Sequence, residues 1–288
     1  MARKRSRNTL RLRYVVLAII LVAAAVMAYG YGETFRVEIK EYHFSHSDLP
    51  QAFSGVRVAF VSDIHRGPFF SQKRVRALVE RVSSLNPDVT VLGGDYVYLG
   101  TKYADSCFAE LAHLRAPLGR FAVLGNHDYE SGANESQPGP QATIKAAKKA
   151  GITLLQNQGV WLEKDKERVR LAGVTDYSVD KPNLQLALGD AAAKDFVLLV
   201  SHNPDFAEEV PNGAVDLVLS GHTHGGQITF FGLWAPYVPS NYGQKYRTGL
   251  VSRDSLTVIV SNGIGTSTIP PLRMGARPQI VLVTLERP

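Results

Sequence analysis

Residues 56–65 read VRVAFVSDIH, and the same design returns at residues 215–224 as VDLVLSGHTH. In each, a run of β-branched and other apolar residues ends in a short loop carrying Asp, Gly or His. Near-continuous apolar runs of this length fit strands buried on both faces, not the alternating strands of a half-solvated sheet. Working outward, DVTVL (88–92) runs into Gly93-Gly94-Asp95, RFAVL (120–124) into Gly125-Asn126-His127-Asp128, and FVLLVS (196–201) into His202. Residues 256–261 and 279–285 read as further strands, and VEIKEYHF (37–44) as an edge strand. Helical spacing runs from Lys73 to Leu85, where Asn86-Pro87 stops it. The stretch ESGANESQPGPQ (130–141) reads as a loop of low order. Strands that alternate with helices in this way predict an α/β fold.

With 45% hydrophobic and 20% charged residues, the 288-residue chain has the apolar surface for a core, which excludes a wholly disordered chain. The same composition excludes a polytopic membrane protein. The single cysteine, Cys107, excludes an internal disulfide framework and a cysteine-built zinc site. The net charge of +6 lies entirely in residues 1–31, where Arg3, Lys4, Arg5, Arg7, Arg11 and Arg13 meet no acidic residue. The remainder is electrically balanced, which argues against a broad nucleic-acid surface. Directly after this basic tail (1–13), residues 14–31 read YVVLAIILVAAAVMAYGY without a charge. As a helix this run spans about 27 Å, close to a hydrocarbon core of about 30 Å. It is read as a transmembrane anchor or uncleaved signal. Residues 32–55 then form a linker and edge strand, and 56–288 a catalytic domain. The positive tail predicts a cytoplasmic N-terminus and a domain outside the cytoplasm, with the cytoplasmic face as the alternative. A cleavable signal peptide, with Ala28 and Gly30 as small residues near the cut, is the competing reading.

The residue types at the strand ends carry the chemistry. Asp63, His65, Asp95, Asn126, His127, His202, His222 and His224 each follow an apolar run, and ligands of open α/β sheets collect at that edge. These blocks, D-x-H, G-D, G-N-H-D, H and G-H-x-H, resemble those of the calcineurin-like metallophosphoesterase superfamily, from about Val56 to the C-terminus. Ser220–Gln227 (SGHTHGGQ) and the later SNGIGTS and PPLRMGARPQI resemble a bacterial membrane-associated subgroup. Some members of that subgroup are related to UDP-2,3-diacylglucosamine pyrophosphohydrolases of lipid A synthesis. The resemblance implies a four-layer αββα sandwich, here preceded by one transmembrane helix.

The resemblance also implies two divalent metal ions. Asp63, His65 and His224 would bind one, Asn126, His202 and His222 the other, and Asp95 would bridge them. Hydrolysis of a phosphodiester or pyrophosphate would proceed by a hydroxide between the metals, with His127 as general acid or transition-state stabiliser. Carboxylate, imidazole and amide ligands suit Mn²⁺, Fe²⁺ or Zn²⁺ better than Ca²⁺ or Mg²⁺, and Mn²⁺ is the expected ion. Two divalent ions less two carboxylates and a hydroxide leave one positive charge to attract a phosphate ester. The sequence departs from the family pattern at Tyr98, where many members carry an Asp that orients the catalytic His. Asp128 or a backbone carbonyl is the expected substitute.

For substrate, FGLWAPYVPSNYGQKYRT (231–248) is aromatic and basic. Its Trp234, Tyr237, Tyr242, Lys245, Tyr246 and Arg247 are candidates for a wall or lid over the metals. Arg273 is a candidate phosphate contact, and Asp176, in GVTD (173–176) after a further strand, a turn residue near the site. The anchor points to a lipid-linked or envelope phosphoester, such as a UDP-2,3-diacylglucosamine-like compound. The alternatives are a nucleotide or nucleic-acid phosphodiesterase, a protein phosphatase, and a non-enzymatic membrane-tethered metal-binding scaffold.

Overall fold

In a computed structural model, which describes residues 2–129 and 140–288, the apolar runs become the strands of two facing sheets. The first contains β1 (Glu38–Ser45), β2 (Arg57–Val61), β3 (Val89–Leu92), β4 (Arg120–Ala122), β5 (Thr153–Leu154) and β12 (Gln279–Glu286). Its order is β1-β12-β2-β3-β4-β5, with β2 to β5 parallel and β12 antiparallel to β2. The second contains β6 (Gln158–Lys164), β7 (Glu167–Gly173), β8 (Val197–Val200), β9 (Leu217–Ser220), β10 (Gly249–Arg253) and β11 (Leu256–Val260). Its order is β10-β11-β9-β8-β7-β6, with β7, β8, β9 and β11 parallel.

Strand alternation explains why both faces are apolar. Val58 and Phe60 of β2 point into a core between the sheets, against Leu171, Leu198, Leu217 and Leu219, whereas Ala59 and Val61 point to the helices outside. In β8, Leu198 and Val200 face the other sheet, and Val197 and Leu199 face outward. The outer layer on the first sheet is α2 (Gln72–Ser84), α3 (Ala104–Leu111) and α4 (Gln141–Lys149). α2 begins where the Ser71 side chain accepts the Arg74 N–H, and it buries Val75, Leu78, Val79 and Val82 at helical spacing. The outer layer on the second sheet is thin, with α5 (Leu184–Leu188) and a 3₁₀ turn at Pro204–Glu209. The four layers run α, β, β, α, as expected.

In the β6–β7 hairpin, β7 is the strand expected before residues 173–176, whereas β6 lies outside the strands read from the sequence. The two-residue turn, Asp165-Lys166, holds both residues at positive φ, 50° and 68°, the geometry that lets hairpin strands keep their twist. It lacks the glycine that usually signals such a turn. The expected loop at 130–141 falls outside the described residues up to 139, and Gln141 opens α4.

At the N-terminus, α1 (Ala2–Glu33) contains a stretch, Arg11–Glu33, long and apolar enough to cross a membrane, with its apolar side chains exposed. Its last turn is docked on the domain. The Arg273 N–H donates to Gly30 O (3.0 Å), and the buried Glu33 carboxylate accepts from Gly275 N (3.1 Å) and Arg277 Nε (3.0 Å).

Candidate metal centre

Because the central strands of each sheet are parallel, their C-terminal ends gather on one edge, and the loops there are tied to one another. Asp63 N–H donates to Gly94 O (2.9 Å), and His65 N–H to Asp95 O (3.0 Å). The second sheet is tied to the first where His222 N–H donates to the Asp63 carboxylate (3.1 Å to Oδ1). Gly221 allows this approach, since a Cβ there would collide with Asp63 Oδ2.

Asp63, His65, Asp95, His222 and His224 all hold left-handed backbone, with φ between 51° and 67°. Such a conformation costs a non-glycine residue on the order of 1–3 kcal/mol and clusters at functional sites. The paired residues therefore converge through strained loops, not through the two-residue period of a strand.

The side chains form a single buried group. His65 Nε2 lies 3.0 Å from His224 Nε2, and His224 Nε2 lies 3.5 Å from Asp63 Oδ1. Asp95 Oδ2 lies 3.3 Å from His202 Nε2 and 3.6 Å from His65 Nε2. Asp95 thus stands between the trio Asp63–His65–His224 and the pair His202–His222, whose rings are 5.1 Å apart. Asn126 and His127 complete the edge, and His127 N–H donates to Asp95 Oδ1 (2.9 Å).

The electrostatics fit cations. Burial pushes the His65 and His222 imidazoles down to about 3, and carries His224 well below its ordinary value, so all three are neutral. His65 and His224 therefore bring two imidazole Nε2 atoms together beside carboxylates. His202 Nδ1 lies 2.7 Å from Gly93 O, a pure acceptor, so Nδ1 carries the proton and Nε2 is turned into the site. Burial opposes charge on His202, but the adjacent Asp95 carboxylate outweighs it and raises the imidazole well above its usual value. Burial also lifts Asp63 to about 6, partly offset by His202. The buried Asn126 Oδ1 has no hydrogen-bond partner, and His202 Nε2 meets only the Asp95 carboxylate. An orphaned amide oxygen among carboxylates and imidazoles is the donor set of a divalent transition-metal site.

Of the two groups expected to orient His127, Asp128 is engaged elsewhere. The Asp128 carboxylate is consumed by the N–H groups of Asp95 (2.8 Å), Gly125 (2.9 Å) and Tyr96 (3.0 Å). It staples the G-D loop to the G-N-H-D loop and makes no bond to the His127 ring. Instead, that ring packs edge-on between Tyr98 (centroids 5.5 Å apart) and His65 (4.9 Å). Tyr98 is itself fixed by donating its hydroxyl to Ser267 O (3.0 Å).

A cleft of about 790 Å³ opens over this group, lined by Asp95, Asn126, His127, His222, His224 and by Tyr177, Asn203, Tyr237, Ser267 and Thr268 among others. The expected basic substrate contacts lie elsewhere. Arg273 is fully buried and donates to Gly265 O, Asn262 O and Ala276 O, with Nη2 3.2 Å from His224 Nδ1. It sits behind His224 and not in the cleft. Lys245 pairs with Glu208, and Arg247 donates to Gly225 O (3.2 Å) and Gly232 O (3.0 Å). Of the expected aromatic wall, Tyr237 lines the cleft, whereas Trp234, Tyr242 and the buried Tyr246 do not. Asp176 is buried and accepts the Ser178 N–H (2.8 Å), a turn role. The staple Asp128 and the buried Arg273 were not assigned these roles by sequence; both are charged residues next to glycine-rich loops, which is the one signal available.

The profile of the family described as "Calcineurin-like phosphoesterase" matches residues 56–226. An uncharacterized metallophosphoesterase of Aquifex aeolicus is 32% identical over 276 residues, covering 93% of this chain and 98% of that protein. The phosphodiesterase YaeI of Escherichia coli is 28% identical over 230 residues, covering 80% and 82%. A Danio rerio transmembrane protein with metallophosphoesterase domain is 28% identical, covering 96% of this chain and 63% of that one.

Proposed function

The chain belongs to the calcineurin-like phosphoesterase family and is a metal-dependent phosphoester hydrolase; from that premise we propose how its residues divide the work. Asp63, His65 and His224 hold one divalent cation, Asn126, His202 and His222 hold a second, and Asp95 serves both. The observation that carries this reading is the position of Asp95 Oδ2, within 3.3 Å of His202 Nε2 and 3.6 Å of His65 Nε2. When bound, two divalent ions supply Lewis-acid activation of water and neutralise charge on the phosphoryl oxygens. Mn²⁺ suits the mixed donor set.

The protein's own part is positioning and proton transfer. The Asp128 staple keeps Asp95 and Asn126 on adjoining loops. His127, fixed by Tyr98 and by its N–H on Asp95, faces the cleft and donates a proton to the leaving oxygen, a role worth roughly 10²–10⁴-fold. The wide polar cleft and the relative named a phosphodiesterase favour a diester or pyrophosphate substrate. α1 anchors the enzyme in the cell membrane by one pass, with the basic tail on the cytoplasmic side and residues 56–288 as an extracytoplasmic catalytic domain. The substrate is then a lipid-linked or envelope phosphoester, of which a UDP-2,3-diacylglucosamine-like compound is one form.

The test is a Mn²⁺ titration of the metal-free full chain in detergent, following bis(p-nitrophenyl) phosphate hydrolysis. Turnover should rise until two ions are bound per chain. Saturation of turnover at one ion would contradict the shared role of Asp95.

A further inference from the structure

The segment 272–277 joins two parts of the surface that the sequence keeps far apart. On one side it holds the last turn of α1, through Gly30 O and the buried Glu33. On the other it holds the turn at 228–234, where Thr229 N–H donates to Met274 O (2.8 Å) and Met274 N–H to Gln227 O (2.9 Å). Phe231 and Gly232 consequently share one surface groove with Tyr29 and Glu33.

The turn reads ITFFGLW, without a charge, and its large side chains face solvent. Phe231 is 95% exposed and Leu233 81% exposed, beside the partly exposed Ile228, Phe230 and Trp234. Phe231 is held at φ 54°, a strained setting for a bulky residue. Phe230 and Trp234 stack with centroids 5.7 Å apart. A contiguous apolar patch of this kind marks an interaction surface. Its neighbours say which kind. Tyr29 and Tyr31, exposed on the last turn of the apolar helix, occupy the level where aromatic residues meet a bilayer surface.

We propose that the Ile228–Trp234 turn is a second membrane contact, inserted into the bilayer interface beside α1, and that it holds the mouth of the cleft at headgroup depth. The proposal rests on the membrane-anchored reading above. Tyr237, three residues beyond Trp234, lines the cleft. Gln227, at the other end of the turn, bonds through its side chain to Thr268 Oγ1 (2.5 Å) and Ser267 N (3.2 Å), two further cleft residues. The depth of the turn thereby sets the position of the cleft wall. An amphiphilic phosphoester presents its phosphate to the metal edge while its apolar part stays in the lipid.

The two tryptophans provide the test. Trp161 lies on β6, stacked under Arg168, and Trp234 on the turn. The full chain is placed in nanodiscs of phosphatidylethanolamine and phosphatidylglycerol with or without brominated acyl chains. The Trp161→Phe variant, reporting Trp234 alone, should be strongly quenched by bromine. The Trp234→Phe variant, reporting Trp161, should not. Equal quenching, or none, in a chain retained by the discs would overturn the proposal and leave the anchor standing; failure to be retained would overturn both. A Phe231→Ser/Leu233→Ser double variant should lose about tenfold in turnover of a vesicle-borne p-nitrophenyl phosphodiester while hydrolysing the soluble diester normally. An equal loss on both substrates would contradict the membrane role. No turnover of the soluble diester by the unaltered chain would contradict the enzymatic reading and leave the quenching result to decide the membrane contact.

Discussion

At the floor of the cleft, Asp63, His65, Asp95, His202 and His224 are buried, and the loops that carry them are hydrogen-bonded to one another across strand ends. Away from it, Tyr237 at the cleft wall and Leu233 and Phe231 on the neighbouring turn stand in solvent, and the 272–277 segment ties that turn to the end of α1. The floor is rigid because the cores on both faces of each sheet fix the strands from which it grows. The turn is held instead by backbone hydrogen bonds to the 272–277 segment, with its apolar side chains left outside any core. Buried polar groups and exposed apolar ones are thus separated in the molecule.

That separation can be broken from the floor side first. His127→Ala should lower kcat by about 10²–10⁴-fold while leaving metal binding intact, because the hydrogen bond from residue 127 to Asp95 is made by the backbone N–H, which alanine keeps. Rapid-quench or steady-state kinetics with metal analysis would check this, and a loss of bound metal would show that floor and acid are not separable. Arg273→Met should destabilise the fold by about 3 kcal/mol, since it leaves several buried carbonyls without donors. Urea unfolding measures that loss, and a weaker affinity for the cation held by His224 should accompany it. Tyr98→Phe removes one hydrogen bond to Ser267 and should cost about 1 kcal/mol, yet it keeps the ring beside His127 and so the rate. A large fall in kcat would instead make the hydroxyl part of the acid step. Smallest of all, Cys107 should resist iodoacetamide in the native state, because burial within the helical layer raises its thiol far above the usual range.

Much of the floor is legible in the sequence, and the reasons are physical. A strand buried on both faces must be apolar throughout, so VRVAFV, DVTVL, FVLLV and VDLVL announce themselves, and whatever polar residues follow them must lie at the sheet edge. The edge strand at Glu38–Ser45 was legible from its alternation. Less legible was anything decided by long-range partners. Arg273 looked like a phosphate ligand because an arginine beside glycines usually faces solvent; only the folded chain shows four carbonyls and the His224 ring around it. Asp128 looked like an orienting group for its neighbour His127, but its oxygens answer backbone N–H groups 32 and 33 residues away. β6 and its pairing with β7 escaped because the turn, Asp165-Lys166, carries no glycine. The apolar turn at 228–234 was visible as composition, but its place beside α1 follows from the pairing of Thr229 and Met274, 45 residues apart.

The central claim is that one carboxylate, Asp95, serves two cation sites at once. The direct measurement is the number of Mn²⁺ ions retained per chain by the full-length protein and by Asp95→Asn, determined by elemental analysis after equilibration and desalting. Two ions in the parent and at most one in the variant, with hydrolysis lost, is the result expected. Two ions in both, or activity that survives the substitution, would contradict it.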